Sequence, residues 1–587
     1  MRTGLAGAAL LIAACVGPAK AQEGLPWSKF EQSKPNAKPS PRKSRQSLPA
    51  AKRSQSQSEK NPTRRKYDQS ISVHSRWRIS RSTWTALDEA GYEEFVRRIG
   101  ESDCRTVHAC LTSPHSNPLY YASNPKGLVF YADCADLPYM LRAYYAWKNG
   151  LPFSYSTAVT PLGRTVDIRY TARGNRITAR RDIVGQSVDA GRELKTMVDT
   201  ISSAHFRYPP EPHGPFLPDH YPVKIMRKSI KPGTIVYDAN GHVAVVYKVS
   251  AEGRIHYIDT HPDNSVTRSV YGKAFSRASP AMGAGFKRWR PQKLIGASKQ
   301  PDGSYVGGRI VLEANNGIAD WSDEQFFGTE ANPRKSWRAA KFVHEGQVMG
   351  FHEYVRKRLA RAGFKYDPLA ETRAMVRTLC ADLNYRVDAV DFAVRAGVHV
   401  RPQPDRLPSN IYGTIGDWEL YSTPSRDARL KTAFKELRDE IIRFLELATQ
   451  GGKALAYVGD DLRRDLRRVY GKETSACTIT YQRSDGSTKT LSFDEISRRL
   501  FRLSFDPYHC VERRWGADKA LELSTCSDGR EKQLWYAAEQ RLRNQLERTY
   551  DVLMGFSLAD LNRRVPGSGV DAPPSINVST LLNRPGR

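Results

Sequence analysis

Apolar residues recur at helical spacing over most of the second half of the chain. Between residues 335 and 562 they return every three or four positions, which predicts a mainly helical domain with no legible role. Residues 478–492 interrupt this pattern, because they alternate around an Asp-Gly turn and predict a β-hairpin. The predicted helices are 341–362, 369–384, 426–448, 459–469, 493–503 and 530–557.

Residues 76–297 combine both periodicities and predict an α+β domain. A helix is expected from Trp84 to Ile99, and another follows Cys134 and ends at Gly150. Short alternating segments then predict an antiparallel sheet, onto which the helix after Cys134 would pack. The predicted strands of this sheet are 234–238, 242–249, 254–259 and 285–289, and before them the alternating segments 164–171 and 176–183 predict a hairpin.

Four further segments differ in composition from the two folded domains. Residues 1–21 have the charge, short apolar run and Ala-x-Ala site of a signal peptide, while Cys15 in a lipobox-like sequence leaves a lipid anchor as an alternative. Residues 22–75 are basic and poor in apolar side chains, which predicts a disordered linker. We expect 298–334 to be a connecting segment and 563–587 to be a flexible tail.

Export would place the protein in an oxidising compartment, either periplasmic or extracellular. Of the eight cysteines, Cys15 would leave with the signal, and the remaining seven are an odd number, which suggests one free thiol. Connectivity does not follow from sequence, but neighbouring cysteines are the natural partners, and this leaves Cys134 single. The expected pairs are Cys104 with Cys110, Cys510 with Cys526, and Cys380 with Cys477.

The chain carries a formal net charge of +29. For an exported protein this favours an anionic envelope polymer such as peptidoglycan as partner, although many exported proteins are simply basic. No nucleic-acid-binding module and no transmembrane helix are recognisable in the sequence. Nucleic-acid and integral-membrane functions are therefore not expected.

Cys134 stands at the start of a predicted helix, where the helix dipole and a nearby imidazolium would lower the pKa of its thiol. His242 heads a predicted strand, and Asp259 lies on the next one. Side chains alternate along a strand, so Tyr257, Asp259 and His261 share one face. These residues form a candidate Cys134–His242–Asp259 triad, with His261 as the second choice for orienting the imidazole.

Three motifs in the correct order carry a family resemblance: Asp133-Cys134, Pro232–Val236 and Gly241–Val246. They resemble the papain-like bacterial cell-wall hydrolases, namely the NlpC-like peptidases and the cysteine, histidine-dependent amidohydrolase/peptidase group. The resemblance implies a papain-like fold and cleavage of an amide bond in peptidoglycan stem peptides without a cofactor. The stretch between the cysteine and the histidine is longer than is usual there, so 155–225 is interpreted as an insertion. We expect its proline-rich part, 208–222, to wall the cleft.

Two other functions remain open at this point. The ending Asp259–Pro262 also fits a transglutaminase-like acyl transferase, and the domain could instead be a degenerate hydrolase in a non-catalytic envelope-binding protein. No metal is expected, because His256 and His261 face opposite sides of a strand. The oxyanion donors would be the backbone N–H of the nucleophile and an upstream side chain, Tyr131 or Asn124.

Overall fold

The computed structural model describes residues 75–165, 167–185, 188–332, 335–413, 416–547 and 554–583. The predicted signal peptide, the lipobox Cys15 and the linker up to residue 74 lie outside the described residues. The fold is mixed α+β with a helical C-terminal region, as the periodicities predicted.

The helices of the described residues are numbered in chain order. They are α1 Ala86–Glu101, α2 Val107–Thr112, α3 Asp136–Asn149, α4 Ala190–Thr200, α5 Glu324–Phe327, α6 Phe351–Leu359, α7 Pro368–Arg395, α8 Asp417–Tyr421, α9 Pro424–Thr449, α10 Leu462–Ser475, α11 Phe493–Arg499, α12 Val511–Arg514, α13 Ala520–Leu523, α14 Arg530–Ala538, α15 Gln540–Asn544, α16 Leu558–Asn562 and α17 Val578–Asn583.

The strands are numbered in the same way. They are β1 Arg76–Trp77, β2 Ser154–Pro161, β3 Asn175–Asp182, β4 Val188–Asp189, β5 His220–Pro222, β6 Ile235–Asp238, β7 His242–Val249, β8 Ile255–Thr260, β9 Val266–Val270, β10 Gly285–Trp289, β11 Gln292–Ile295, β12 Ser298–Lys299, β13 Tyr305–Val306, β14 Arg309–Leu312, β15 Phe342–His344, β16 Gln347–Met349, β17 Thr478–Gln482 and β18 Thr488–Ser492.

A six-stranded antiparallel sheet forms the centre of the first half, in the order β5-β10-β6-β7-β8-β9. The β6–β7 hairpin turns tightly because Gly241 adopts a φ of 84° and its N–H donates to the Asp238 carbonyl. Val243 and Val245 on β7 and Ile258 on β8 are fully buried in the core that α1 and α3 share with this sheet. One face of the sheet therefore packs on the helix that follows Cys134.

Asp133 caps the start of α3. Its carboxylate accepts hydrogen bonds from the N–H groups of Ala135 and Asp136 at 2.9 and 3.1 Å, and its carbonyl accepts one from Leu137. Cys134 and Ala135 thus form the turn that leads into α3, which begins at Asp136. The helix ends at Gly150 in the left-handed conformation, as predicted.

The predicted hairpin 164–183 is only partly correct. Its second arm exists as β3, but β3 pairs with β2, which begins at Ser154, and not with residues 164–171. Asp167 explains the difference, because its carboxylate accepts the N–H of Arg169 at 2.9 Å and its carbonyl accepts that of Tyr170, so this segment turns. Strand β5 adds a proline-containing edge to the sheet, at the end of the proline-rich segment 208–222.

The helical half packs α7, α9 and α10 around a core of its own and carries the predicted β17–β18 hairpin. The predicted helix 341–362 is wrong in its first part, because Glu345 and Gly346 have φ of 51° and 74° and turn the chain into the β15–β16 hairpin before α6. The segment 563–587 was predicted to be flexible, yet Val578 of α17 is buried in this core.

All described residues belong to one compact unit. The second face of the sheet, with Val236, Ala244 and Val246, is buried against Phe351 and Val355 of α6. The helical half therefore covers the side of the sheet that faces away from α3.

The predicted cysteine pairing is confirmed. Disulfides join Cys104 with Cys110, Cys380 with Cys477, and Cys510 with Cys526. Among the described residues, Cys134 is the free cysteine.

Candidate functional site

Cys134 lies where the start of α3 meets the start of β7. Its sulfur is 4.0 Å from the carbonyl oxygen of Gly241, and the backbone N–H of Val243 donates a hydrogen bond to it. The hydroxyl of Thr260 donates to the Asp133 carbonyl at 2.6 Å and joins the helix start to the end of β8. The thiol therefore contacts the backbone on both sides of His242.

His242 and Asp259 form a buried pair. The imidazole Nε2 is 2.7 Å from Oδ2 of Asp259, and the two residues are 5% and 3% exposed. The hydroxyl of Thr267 donates to Oδ1 of the same carboxylate. Because Nε2 is engaged in this way, Nδ1 is the ring nitrogen that remains for proton exchange with a nucleophile.

His261 lies beside this pair without replacing Asp259. Its Nε2 is 3.1 Å from the Thr267 hydroxyl and 3.9 Å from Oδ2 of Asp259. His256 lies near Tyr247, with ring centroids 6.0 Å apart, on the face of the sheet opposite to Asp259. The alternation of side chains along the strand therefore correctly predicted that His256 and His261 lie on opposite faces of the sheet.

The protonation state of the thiol differs from the prediction. Burial, together with the nearby Asp133 carboxylate, raises the pKa of the Cys134 thiol instead of lowering it. Burial and the positive charge of Arg429 lower the pKa of His242. Burial would raise the pKa of Asp259, but its hydrogen bond to His242 and the neighbouring His261 hold it well below the usual range. The resting site therefore contains a neutral thiol, a neutral imidazole and a carboxylate.

No hydrogen bond between the Cys134 sulfur and the imidazole is present among the described residues. The predicted close approach of these two groups is therefore not seen. The sulfur contacts the backbone of Gly241 and Val243, whereas by strand alternation the His242 side chain shares the face of Ala244 and Val246, which faces away from α3.

A segment of the long insertion covers this region, and we call Arg169 and Tyr170 the strap. Arg169 donates to the carbonyl of Gly413 at 2.6 Å, and its guanidinium is paired with Asp167 at 2.7 Å. Tyr170 packs closely on Gly241 and Gly413, since a Cβ added to Gly241 would meet its ring at 2.9 Å and one added to Gly413 its hydroxyl at 1.9 Å. The strap thus joins the turn beside Cys134 to the helical half.

One predicted oxyanion donor is wrong. The side-chain nitrogen of Asn124 donates to the Leu111 carbonyl at 2.8 Å, and its side-chain oxygen accepts from Tyr144 at 2.8 Å. Asn124 is therefore occupied in supporting the loop before α3. Tyr131 stays a prediction.

Two groups of side chains within the described residues have the spacing of a metal site. The first consists of Cys510, Glu512 and Cys526, but its cysteines form a disulfide. The second consists of Asp506, His509 and Glu539, in which both His509 nitrogens are engaged, one by the Ser504 hydroxyl and the other by a backbone carbonyl. Neither group offers a free set of ligands.

We expect Cys134 to react slowly with iodoacetamide at pH 7, at least about tenfold slower than a free cysteine thiol, because only the thiolate reacts. The pKa of this thiol is raised, so the rate should continue to rise above pH 9. Mass spectrometry of the labelled peptide as a function of pH measures this. Rapid labelling near pH 6 would mean that the thiol is ionised and that the neutral resting state is wrong.

Arg169→Ala should accelerate this labelling about three- to tenfold, because the substitution removes the bond to Gly413 that holds the strap over the thiol. Arg181→Ala is the matched control, since Arg181 lies in the same insertion but pairs with Glu193. Equal rates in the two variants would show that the strap does not limit access to the sulfur.

No helix of the described residues combines the length and the apolar character needed to cross a membrane. The three disulfides are compatible with an extracytoplasmic location. The resemblance to papain-like hydrolases is carried by the motif residues alone, since no family model, no curated protein and no solved structure matches this chain.

Proposed function

We propose that this protein is a cysteine hydrolase that cleaves amide bonds, with Cys134 as nucleophile, His242 as general base and acid, and Asp259 as the residue that orients the imidazole. One observation carries the proposal: the unpaired thiol lies against the backbone on both sides of His242, whose imidazole is bonded to a buried carboxylate at 2.7 Å. Nucleophile, base and orienting group are the three parts that such a mechanism needs.

The protonation states favour a mechanism in which the thiol is activated during the attack. The sulfur forms a bond to the amide carbonyl carbon while its proton passes to the neutral imidazole of His242. The imidazolium, stabilised by Asp259, then gives that proton to the leaving amine as the C–N bond breaks. Water, deprotonated by the same imidazole, attacks the thioester, and the carboxylic acid and the thiol are released.

We propose the peptide stems of peptidoglycan as substrate, in a periplasmic or extracellular location. The net charge of +29 supports an anionic polymer as partner, and the disulfides fit an oxidising compartment. The family resemblance of the motifs supports an amide bond as the bond that is cleaved. Cys15 as a lipid-anchored N-terminus remains the alternative to a soluble exported form.

Purified sacculi incubated with the mature protein test this function. We expect the wild type to release peptide fragments with new amino termini, and we expect His242→Ala to release none. His256→Ala is the matched control, because His256 lies on a neighbouring strand but on the other face of the sheet, and it should retain activity. Release by His242→Ala at the wild-type rate would refute the assignment of the base.

A second candidate function follows from the closed state of the site. The thiol has a raised pKa, and its neighbourhood is covered by the strap, which also suits a non-catalytic envelope-binding protein with a degenerate hydrolase domain. Binding to sacculi without release of fragments would favour this alternative. Incorporation of an added primary amine into the peptide would instead indicate a transglutaminase-like transfer.

A further inference from the structure

We propose that the cavity between strands β8–β9 and helices α7 and α9 binds a small zwitterionic ligand, an amino acid or a short peptide with a free ammonium and a free carboxylate. The site is distinct from the thiol, because Cys134 does not line the cavity, whereas Asp259 does. The inference therefore does not depend on hydrolysis by Cys134.

The cavity has a suitable size and a mixed lining. Its volume is about 380 Å³, within the range of roughly 300–1,000 Å³ that is common for small-molecule sites. Asp259, Thr267 and Ser269 line it from the sheet, and Asp382 and Arg429 line it from the helices. A few polar groups thus converge on one space.

Most charged side chains of the cavity wall neutralise one another. Arg386 is paired with Asp427 at 2.7 Å, and Arg254 and Arg356 both pair with Glu371, at 2.9 and 2.6 Å. Such groups are satisfied by their partners and have little to offer a ligand. A ligand would therefore bind to the charged side chains of the wall that have no such partner.

Three charged side chains on the cavity wall form no ion pair with another described residue. Arg429 donates to the hydroxyl of Ser425 one helical turn earlier at 3.0 Å, and no carboxylate of the described residues lies within ion-pair distance of it. Asp382 and Glu436 likewise have no cationic partner at ion-pair distance within the described ranges. Asp382 receives a hydrogen bond from the Ser269 hydroxyl, and Glu436 receives one from the backbone N–H of Lys273 at 3.2 Å.

One cation and two carboxyl groups on the same cavity wall define the ligand class. A guanidinium is suited to binding a carboxylate through two parallel hydrogen bonds, which assigns the carboxylate of the ligand to Arg429. Burial raises the pKa of both Asp382 and Glu436 to about 7, although the positive charges of Arg429 and Lys273, respectively, act in the opposite direction. A ligand ammonium would supply the cation at ion-pair distance that neither carboxyl group has among the described residues.

The test is isothermal titration calorimetry on the full mature chain carrying Cys134→Ala, so that cleavage of the probe plays no part. The probes are glycine, alanine, glutamate, lysine and alanyl-alanine. Two capped forms of the dipeptide follow, one with an acetylated amine and one with an amidated carboxylate. We expect at least one zwitterionic probe to bind with a Kd below about 1 mM and both capped forms to bind at least about tenfold more weakly.

Substitutions of residues that line the cavity test whether the ligand binds there. Arg429→Gln and the isosteric Asp382→Asn should each weaken binding of the best probe at least about tenfold. Arg438→Gln is the matched control on α9, because Arg438 lies outside the cavity lining, and it should bind within about twofold of the parent. Thermal melts of all variants show whether each is folded.

The proposal is wrong if no zwitterionic probe binds, if the capped dipeptides bind as well as the free one, or if Asp382→Asn binds like the parent while melting normally. Because the parent protein already lacks the thiol, an inactive wild type on sacculi would overturn the hydrolase without touching this site. Conversely, an active hydrolase with no binding here would leave the proposed function intact.

Discussion

Replacing Cys134 with alanine is expected to lower kcat/KM for amide hydrolysis by at least about a thousandfold, because loss of the nucleophile removes the covalent pathway. The fold should be retained, since the residue is only partly buried and lies in the turn before α3. Fragment release from sacculi measures the activity, and a thermal melt measures the fold.

Cys134→Ser serves as the second variant in this experiment, because it keeps the volume and a weaker nucleophile in place. We expect it to be nearly as inactive as the alanine variant. Wild-type activity in the alanine variant would exclude Cys134 as nucleophile, and the non-catalytic candidate would then stand.

Asp427→Ala is expected to destabilise the protein by about 3–5 kcal/mol, because it leaves a buried guanidinium without its partner. Asp427 and Arg386 are 1% and 2% exposed at their side chains, and Nε lies 2.7 Å from Oδ1. Arg386 also donates to the Ser504 carbonyl and lies over the ring of Trp515. The shift of the urea unfolding midpoint measures the effect.

Asp388→Ala on the same helix as Arg386 is the control. Asp388 pairs with Arg105 at 3.0 Å, but both side chains are more than 60% exposed. Solvent screens such a pair, so we expect a change of less than about 1 kcal/mol. Similar losses in the two variants would mean that burial does not set the strength of these ion pairs.

The local part of the candidate site could be predicted from the sequence. Asp133-Cys134 predicts the start of a helix, and α3 begins two residues later at Asp136. Alternation along β8 places Asp259 and His261 on one face and His256 on the other. The free thiol followed from an odd number of cysteines. The first two signals come from residues next to the side chain that they predict, and the third comes from the number of cysteines in the chain.

The environment of the site could not be predicted, because it is built by distant segments. Arg429 and Tyr170 are separated from Cys134 by long stretches of chain, and no local pattern marks either residue as its neighbour. The predicted fall in the thiol pKa was wrong for this reason. A helix start can be recognised locally, whereas the burial that opposes its effect depends on which segments cover the thiol.

The prediction of secondary structure from apolar periodicity was wrong where a short polar turn interrupts the segment. Residues 341–362 contain apolar positions at helical spacing, but two consecutive left-handed residues at Glu345 and Gly346 divide the segment into a hairpin and a helix. At Asp167 a side-chain hydrogen bond to the backbone has the same effect on a predicted strand.

The covering of the sheet by α6 has a consequence for the order in which the chain folds. Val236, Ala244 and Val246 are synthesised before Phe351 and Val355, which bury them. A chain that emerges from its amino terminus therefore presents an apolar sheet face to water for as long as the next hundred or so residues take to follow. Burial of this sheet face is thus a late event, and a polypeptide interrupted before α6 would expose an apolar surface that favours aggregation.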